Sequence, residues 1–435
     1  MGRVMMGLGS VVLALGVGMV ACSRPSDQIT QRLAWQAAPF FQPPAEPDGV
    51  AEDLMAQYLQ RLRQRGISET TQGIYLQSGL TRLAVHQGTI PQSAASLTKV
   101  ATTLAAVEEW GLAHRFATTV YGTGSVENGV LRGDLVVEGT GNPFFVWEEA
   151  IAVGNALNAQ GIRQVTGNLV IVGPFYMNYK TQPEQAGELF RVALTPSQWP
   201  QAAQTEYNRL PPGTPKPQVQ WQGSVVVAST VPPATMLLRH QSVNLGNILK
   251  QMNIYSNNVM AQVLAEAAGG AAGVARMAAA AAGVPQDEIQ LINGSGLGTA
   301  NRISPRATVA MLQRLEQDLA AQGAGIADLF PVAGRDRQGT MQDRNFPPGT
   351  LIKTGTLNSV SALAGVLPTR DRGWVWFAIV NNNGPTVEFR AQQDRFLQDL
   401  SQAWGTAPLT AQAAGIADEA LGDPLRIQTG AALQP

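Results

Sequence analysis

Residues 91–110 read PQSAASLTKVATTLAAVEEW, and Gly111 follows. From Leu97 to Trp110 the run is mostly apolar or small, the composition of a helix buried on most of its surface. Gly111 supplies the residue that commonly ends one. Ser96 stands at the start of this helix and Lys99 three positions on. One helical turn brings such positions to the same face, so the Lys99 amine is expected within reach of the Ser96 hydroxyl. A serine hydroxyl is a poor nucleophile until a base takes its proton. Taken alone, the pair has a plainer meaning: a capping serine and a solvated lysine.

Two further motifs decide between these meanings. Ser256-Asn257-Asn258 falls in a polar turn, and Lys353-Thr354-Gly355 falls in a β-like run, where Thr-Gly requires a reason because glycine weakens a strand. The chain has five lysines (Lys99, Lys180, Lys216, Lys250 and Lys353), and two of them sit in these motifs. Lys99 acts as a base only when neutral, so its pKa must be lowered by burial and by a neighbouring positive charge, for which Lys353 is the candidate. The Lys353 strand is expected at a sheet edge, where an extended peptide can pair with it. Thr354 and Thr356 would hold a substrate carboxylate, with Gly355 between them. The backbone N–H groups of Ser96 and Thr356 would form an oxyanion hole. Ser256 would relay a proton between the lysines and a leaving amine, and Asn258 would hydrogen-bond the substrate amide.

The rest of the chain frames this set. Its 435 residues exceed what one hydrophobic core usually serves. With 45% hydrophobic residues, 14% charged residues and a net charge of −1, nothing favours nucleic acid as a partner. Three histidines without an H-E-x-x-H pattern, and a single cysteine, argue against a zinc or iron–sulfur site; no metal or cofactor is expected. Arg3 precedes an apolar run, Val4 to Ala21, that ends on the lone Cys22. This is an export-signal pattern. Val20-Ala21-Cys22 looks like a bacterial lipoprotein cleavage site, which would put a lipid on Cys22.

Residues 1–22 are therefore read as a signal and 23–44 as a tether. Helical spacing appears from Asp53 to Arg65, a hairpin from Ile74 to His86, and β-like runs with Gly, Asn and Asp between them from about Phe116. Pro183 to Gln220 is rich in Pro and Gln, with little periodicity. Residues 116–232 are read as an inserted, mainly β domain. Helices are expected at Val243–Gln251, at Met260–Gly283 with a break at Gly269-Gly270, after Ser304-Pro305, and at Phe389–Trp404. Strands are expected at Thr350–Leu367 and Trp374–Asn381. The fold class is α/β: an antiparallel sheet flanked by helices, formed by 45–115 and 233–405 and interrupted by the insertion. Residues 406–435, rich in Ala, Gly and Pro, are read as a loose tail.

The ordered motifs resemble those of the class C low-molecular-mass penicillin-binding proteins, the D-alanyl-D-alanine carboxypeptidase/endopeptidase family. Pro91 to Ala106 resembles the nucleophile segment, and Asn128 to Leu135 and Gly167 to Val170 resemble parts of the family's inserted domain. Asn293-Gly294-Ser295-Gly296-Leu297 with Ser304-Pro305-Arg306 resembles a family signature, as does Lys353 to Leu357 with Val360 to Gly365. Asn293 stands where Asp is usual, Gly298 where Ser is usual, and Asn257 where Asp is common. The resemblance implies an exported serine D,D-peptidase of the periplasm or cell envelope that acts on peptidoglycan stem peptides through an acyl-enzyme. It also implies β-lactams as covalent inhibitors and a membrane contact through the N-terminal lipid or signal anchor. Two other readings stay open: a β-lactamase or esterase on the same scaffold, and a non-catalytic penicillin or wall-binding sensor.

Overall fold

The computed structural model describes residues 47–409 and 415–430. The signal, the tether and Cys22 lie outside the described residues.

A five-stranded antiparallel sheet organises the part of the chain outside the inserted segment. Its strand order is Leu351–Leu357, Val360–Thr369, Gly373–Asn382, Gln72–Ser78, Thr81–His86. Alternation along the strands sends side chains to two different cores. Ile74, Leu76, Leu363, Phe377 and Ile379 face the helices Gly49–Arg63 and Thr386–Trp404. Ala362, Ala364, Val366, Ala378 and Val380 face the opposite layer, where small side chains let Thr98–Trp110 and Pro305–Ala320 come close. Each large apolar side chain buried in these layers contributes about 1.5–3 kcal/mol.

The helices begin where capping chemistry allows. Asp48 accepts from the Ala51 N–H, Asn244 from that of Asn247, and Ser304 from that of Ala307. The expected Ala-rich pair is Asn258–Ala267 and Gly270–Ala282, separated by Gly269 (φ 93°) and Gly270 (φ 73°). The single run expected at Thr350–Leu367 is instead two strands, folded back at Asn358-Ser359. Alternation alone does not reveal a two-residue turn when both arms are buried.

The inserted segment carries more helix than its reading as mainly β allowed. Its six-stranded sheet has the order Val225–Ala228, Leu169–Val172, Leu135–Gly139, Ala117–Gly122, Thr235–Gln241, Ile427–Thr429. Leu169–Val172 pairs in parallel with both Leu135–Gly139 and Val225–Ala228. Parallel neighbours need crossovers, and these contain the helices Trp147–Ala159, Pro183–Ala193 and Gln201–Tyr207. The Pro- and Gln-rich stretch thus hides two helices. Pro183 sits in the first turn of one, where proline is tolerated, and Ala186, Phe190 and Ala193 line its buried face. The strand Thr235–Gln241 joins this sheet, which therefore reaches beyond residue 232.

The tail reading also needs correction. Ile427–Thr429 adds a strand against Leu238–His240. Arg426 donates to both oxygens of the buried Glu149, at 2.7 and 3.0 Å, and His240 contacts the same carboxylate at 2.5 Å. Despite its burial, His240 and Arg426 hold Glu149 below the usual carboxylate range. Glu419 is gripped by Arg115 and Asn244. Ion pairs with distant partners order this segment, and they leave no periodic pattern along the sequence.

Candidate active site

A 3-10 turn, Ala95–Leu97, runs into the helix Thr98–Trp110. Ala95 has φ 46°, a left-handed conformation uncommon for a residue with a Cβ. The turn leaves Ser96 partly exposed above the completely buried Lys99. The Lys99 amine lies 3.0 Å from the Ser96 Oγ. Its other partners are the Asn258 Oδ1 at 2.8 Å and the Ser295 carbonyl oxygen at 2.7 Å. Neither of these oxygens can donate. When the amine is neutral, its two protons satisfy them and its lone pair is left for the Ser96 hydroxyl. Burial lowers the Lys99 pKa to about 7.

The second motif joins two helices. Ser256 closes Leu245–Tyr255 in a left-handed conformation with φ 53°. Asn257 caps the next helix, its Oδ1 accepting from Val259 and Met260 N–H groups at 3.0 Å each. Asn caps about as well as Asp, so the departure at this position keeps its structural job. Asn258 then begins the helix with its side chain on Lys99.

The third motif lies on the edge strand Leu351–Leu357. Lys353 is fully buried and donates to the Ser256 Oγ at 3.0 Å and to the Thr354 carbonyl at 2.9 Å. Burial, and then the charge of Lys99, push it far below the ordinary lysine range. Burial alone accounts for the lowering at Lys99, so the expected help from Lys353 is felt in the other direction. Gly355 has a steric reason: a Cβ there would stand 2.9 Å from both the Ala94 carbonyl oxygen and the Ser96 nitrogen. Only glycine lets the strand lie against the nucleophile turn. The Thr354 hydroxyl donates to that of Thr340 at 2.7 Å, and Arg390 donates to the Thr356 Oγ1 at 2.8 Å.

Ser96, Ser256, Asn258, Thr354 and Thr356 line one cleft of about 370 Å³, with Gly339, Thr340, Asp343, Arg344 and Arg390 on its far walls. Every residue of the three motifs named from sequence for chemistry or substrate contact stands in or directly behind this cleft. Thr340, Arg390 and the Ser295 carbonyl were not foreseen. The first two belong to no motif, and a backbone carbonyl has no side-chain signature. Asn293 orders the loop that presents Ser295: its Oδ1 accepts from the Ser295 N–H and hydroxyl and from the Gly296 N–H, and its Nδ2 donates to the Leu297 carbonyl.

Among solved structures, the chain is similar to Bd3459, a predatory peptidoglycan endopeptidase from Bdellovibrio bacteriovorus, with a TM-score of 0.67 at 20% identity, covering 82% of this chain and 98% of that one. It is also similar to penicillin binding protein 4 (dacB) from Haemophilus influenzae, with a TM-score of 0.61 at 18% identity over 80% and 99%. These likenesses show the fold, an α/β arrangement with an antiparallel sheet between helical layers. Among curated proteins, it is 29% identical over 187 residues to the Carboxypeptidase DacB of Mycolicibacterium smegmatis, 39% of this chain and 40% of that protein. It is 33% identical over 189 residues to the D-alanyl-D-alanine carboxypeptidase of Actinomadura sp. (strain R39), 40% of this chain and 35% of that protein. The match thus spans well under half the length of these curated relatives. The family model for D-Ala-D-Ala carboxypeptidase 3 (S13) matches residues 54–184 and 215–400, most of the described chain, and the protein belongs to that family.

Proposed function

We propose that this protein is a serine-type D,D-peptidase that cleaves D-alanyl bonds of peptidoglycan stem peptides through an acyl-enzyme on Ser96. The observation that carries the reading is the buried Lys99 amine, 3.0 Å from the Ser96 hydroxyl, with acceptor-only oxygens as its other partners. Neutral Lys99 takes the Ser96 proton as the Oγ attacks the scissile carbonyl. The developing oxyanion is held by the Ser96 and Thr356 N–H groups. As the C–N bond breaks, the proton passes by way of Ser256 and Lys353 to the leaving amine, which departs as a free D-amino acid or a peptide. Water then attacks the Ser96 ester, Lys99 again accepts the proton, and hydrolysis restores the hydroxyl.

The start of the edge strand Leu351–Leu357 is covered, with the Ile352 N–H bonded to the Pro331 carbonyl, and the end near Thr356 is left for an extended peptide. Asn258 is within reach of a substrate amide, and Thr354 and Thr356 of a carboxylate. A β-lactam enters the same reaction as a substrate analogue; a relative of the same fold is described as penicillin G acylated. Among the described residues no helix is long and apolar enough to cross a membrane. In this reading the signal exports the protein, and lipidation of Cys22 holds it at the cell envelope. The catalytic unit is then 45–115 with 233–405 less the strand Thr235–Gln241, which joins the sheet of the insertion, and the insertion is a separate element.

Labelling with a fluorescent penicillin, paired with an assay for released D-Ala, tests the reading. The wild type is expected to do both and Ser96→Ala neither. Rapid loss of the label with β-lactam turnover would indicate a β-lactamase. Labelling without D-Ala release would indicate a sensor, and persistent labelling of Ser96→Ala would move the nucleophile elsewhere.

A further inference from the structure

Met177 to Lys180, in the insertion, closes on itself: the Met177 N–H donates to the Lys180 carbonyl at 3.2 Å, and the Lys180 N–H to the Met177 carbonyl at 2.9 Å. The two central residues, Asn178 and Tyr179, are both left-handed, with φ 46° and 64°. A two-residue turn of this kind favours Asn-Gly. Asn178 is thus in its ordinary place, and Tyr179 stands where glycine is the usual residue. A bulky side chain in that conformation is strained, and such strain gathers at ligand sites.

The turn brings both side chains to a cavity of about 410 Å³ that the insertion shares with the helices Leu245–Tyr255 and Asn258–Ala267. This cavity is distinct from the reactive cleft, and one short segment borders both. Tyr255 and Asn257 line the cavity, and Ser256 and Asn258 line the cleft. An extended peptide advances about 3.3–3.6 Å per residue, so a group a few residues from the scissile bond can reach around that segment.

The polar groups of the cavity are not all spent. The Asn178 Nδ2 is buried without a hydrogen-bond partner, a costly arrangement for a donor. Glu148 makes no ion pair among the described residues, and burial raises its pKa to about 7. The arginine of the lining, Arg209, is committed to both oxygens of Glu206, at 2.8 and 2.9 Å, which leaves no cation for an anionic ligand. An ammonium would suit Glu148 but has no acceptor for the Asn178 Nδ2. A secondary amide serves both: its N–H donates to the Glu148 carboxylate and its carbonyl accepts from Asn178. Tyr179 and Tyr255, 39% and 50% exposed, add flat apolar faces with polar tips.

We infer that this cavity binds an N-acetylated amino sugar of the glycan strand that carries the stem peptide, with Glu148 and Asn178 on its acetamido group and Tyr179 and Tyr255 against its ring. The source of the sugar rests on the peptidase reading; the chemistry of the cavity does not.

Two measurements test it on the full chain. In calorimetric titration, N,N′-diacetylchitobiose should bind at least about 10-fold more tightly than its deacetylated form, as the loss of paired hydrogen bonds implies. Asn178→Gly removes the unpartnered donor, fits the same turn, and should weaken that binding by about 10-fold. Tyr179→Gly restores the favoured Asn-Gly turn, so it should weaken binding by at least as much while leaving Tm no lower. The second measurement compares kcat/KM on a stem pentapeptide with and without its N-acetylated disaccharide. The wild type should favour the sugar-bearing form by about 10-fold. Tyr179→Gly should lose that preference, with the sugar-free peptide and the rate of penicillin labelling within about twofold of the wild type. Tighter binding of the deacetylated sugar would make the cavity an amine site and overturn the inference. So would a wild type indifferent to the sugars, or a Tyr179→Gly variant that keeps the preference or slows both peptides alike. If the diacetyl sugar binds as expected and neither peptide is cleaved, the peptidase reading fails and the sugar site stands.

Discussion

The cleft contains two serine–lysine pairs of equal length, and their surroundings differ. Ser96 and Lys99 are three residues apart on one turn, and the amine is also held by Asn258 and Ser295 from two other segments. Ser256 and Lys353 come from different elements, and the amine has the Thr354 carbonyl as its other partner. Ser96 sits in the cleft wall, in a turn that follows the left-handed Ala95 and is pressed against Gly355; Ser256 is the left-handed end of a helix. Under the mechanism proposed above, the difference fits a division of work. A nucleophile–base pair needs a fixed lone pair beside a fixed hydroxyl. A relay needs a hydroxyl bonded to a proton reservoir, and Lys353, disfavoured as a cation by burial and by Lys99, returns protons readily.

The largest expected effect breaks the first pair. Lys99→Ala should slow both penicillin acylation and D-Ala release by as much as about 10⁴-fold, the upper end of the range of about 10²- to 10⁴-fold for a positioned general base. In the wild type, only the neutral amine accepts the Ser96 proton. Acylation measured by stopped-flow labelling should therefore rise with pH through about 7, the lowered pKa of Lys99, and then level off. A rate that shows no rise near 7 and falls near the ordinary lysine value would mean that Lys99 works as an ammonium and is not the base.

Breaking the second pair should cost less. Lys353→Ala removes the partner of Ser256 while leaving Ser96 and Lys99 in place, so slow labelling should survive. Peptide turnover should fall further than labelling, by about 10²-fold, because a peptide needs its leaving amine protonated and a β-lactam amine stays tethered to the ring. The pH limb for labelling should stay near 7, because burial lowers Lys99 without help from Lys353. A limb displaced to alkaline pH would show that the charge of Lys353 does act on Lys99.

The same contrast explains what could be read in the sequence. The Ser96–Lys99 pair is legible because helix geometry converts a spacing of three into contact. The other two motifs were legible by residue type and order. Thr340 and Arg390 were not: each reaches the site through tertiary packing, and a lone Thr or Arg in a surface segment carries no local pattern. In the fold, a capped and amphipathic helix such as Pro305–Ala320 was readable from its start and its apolar face. Pro183–Ala193 was missed because its apolar face has only Ala186, Phe190 and Ala193 amid Gln and Pro. The segment 415–430 was missed because its order comes from Glu419 and Arg426 reaching partners on distant elements.

The smallest expected effect probes what holds Lys99 from behind. Asn293→Asp restores the acid usual in the family signature. An Asp can still accept the Ser295 and Gly296 N–H bonds, so the loop should keep the Ser295 carbonyl at the Lys99 amine. It loses one donor, the Asn293 Nδ2–H to the Leu297 carbonyl at 2.7 Å, and sets a carboxylate oxygen near that carbonyl. Asn293 is exposed on that side, so water can separate the two oxygens. The added negative charge lies one loop away from a buried amine and favours its charged form, so the Lys99 pKa should rise. The labelling stoichiometry should be unchanged. The pH limb should move upward by less than about half a pH unit, a small shift because the charge is solvated and does not touch the amine. A limb that moves down, or a fall in the labelled fraction, would mean that Asn293 holds Lys99 through its amide proton, and that the loop, and not burial, sets the basicity of the pair.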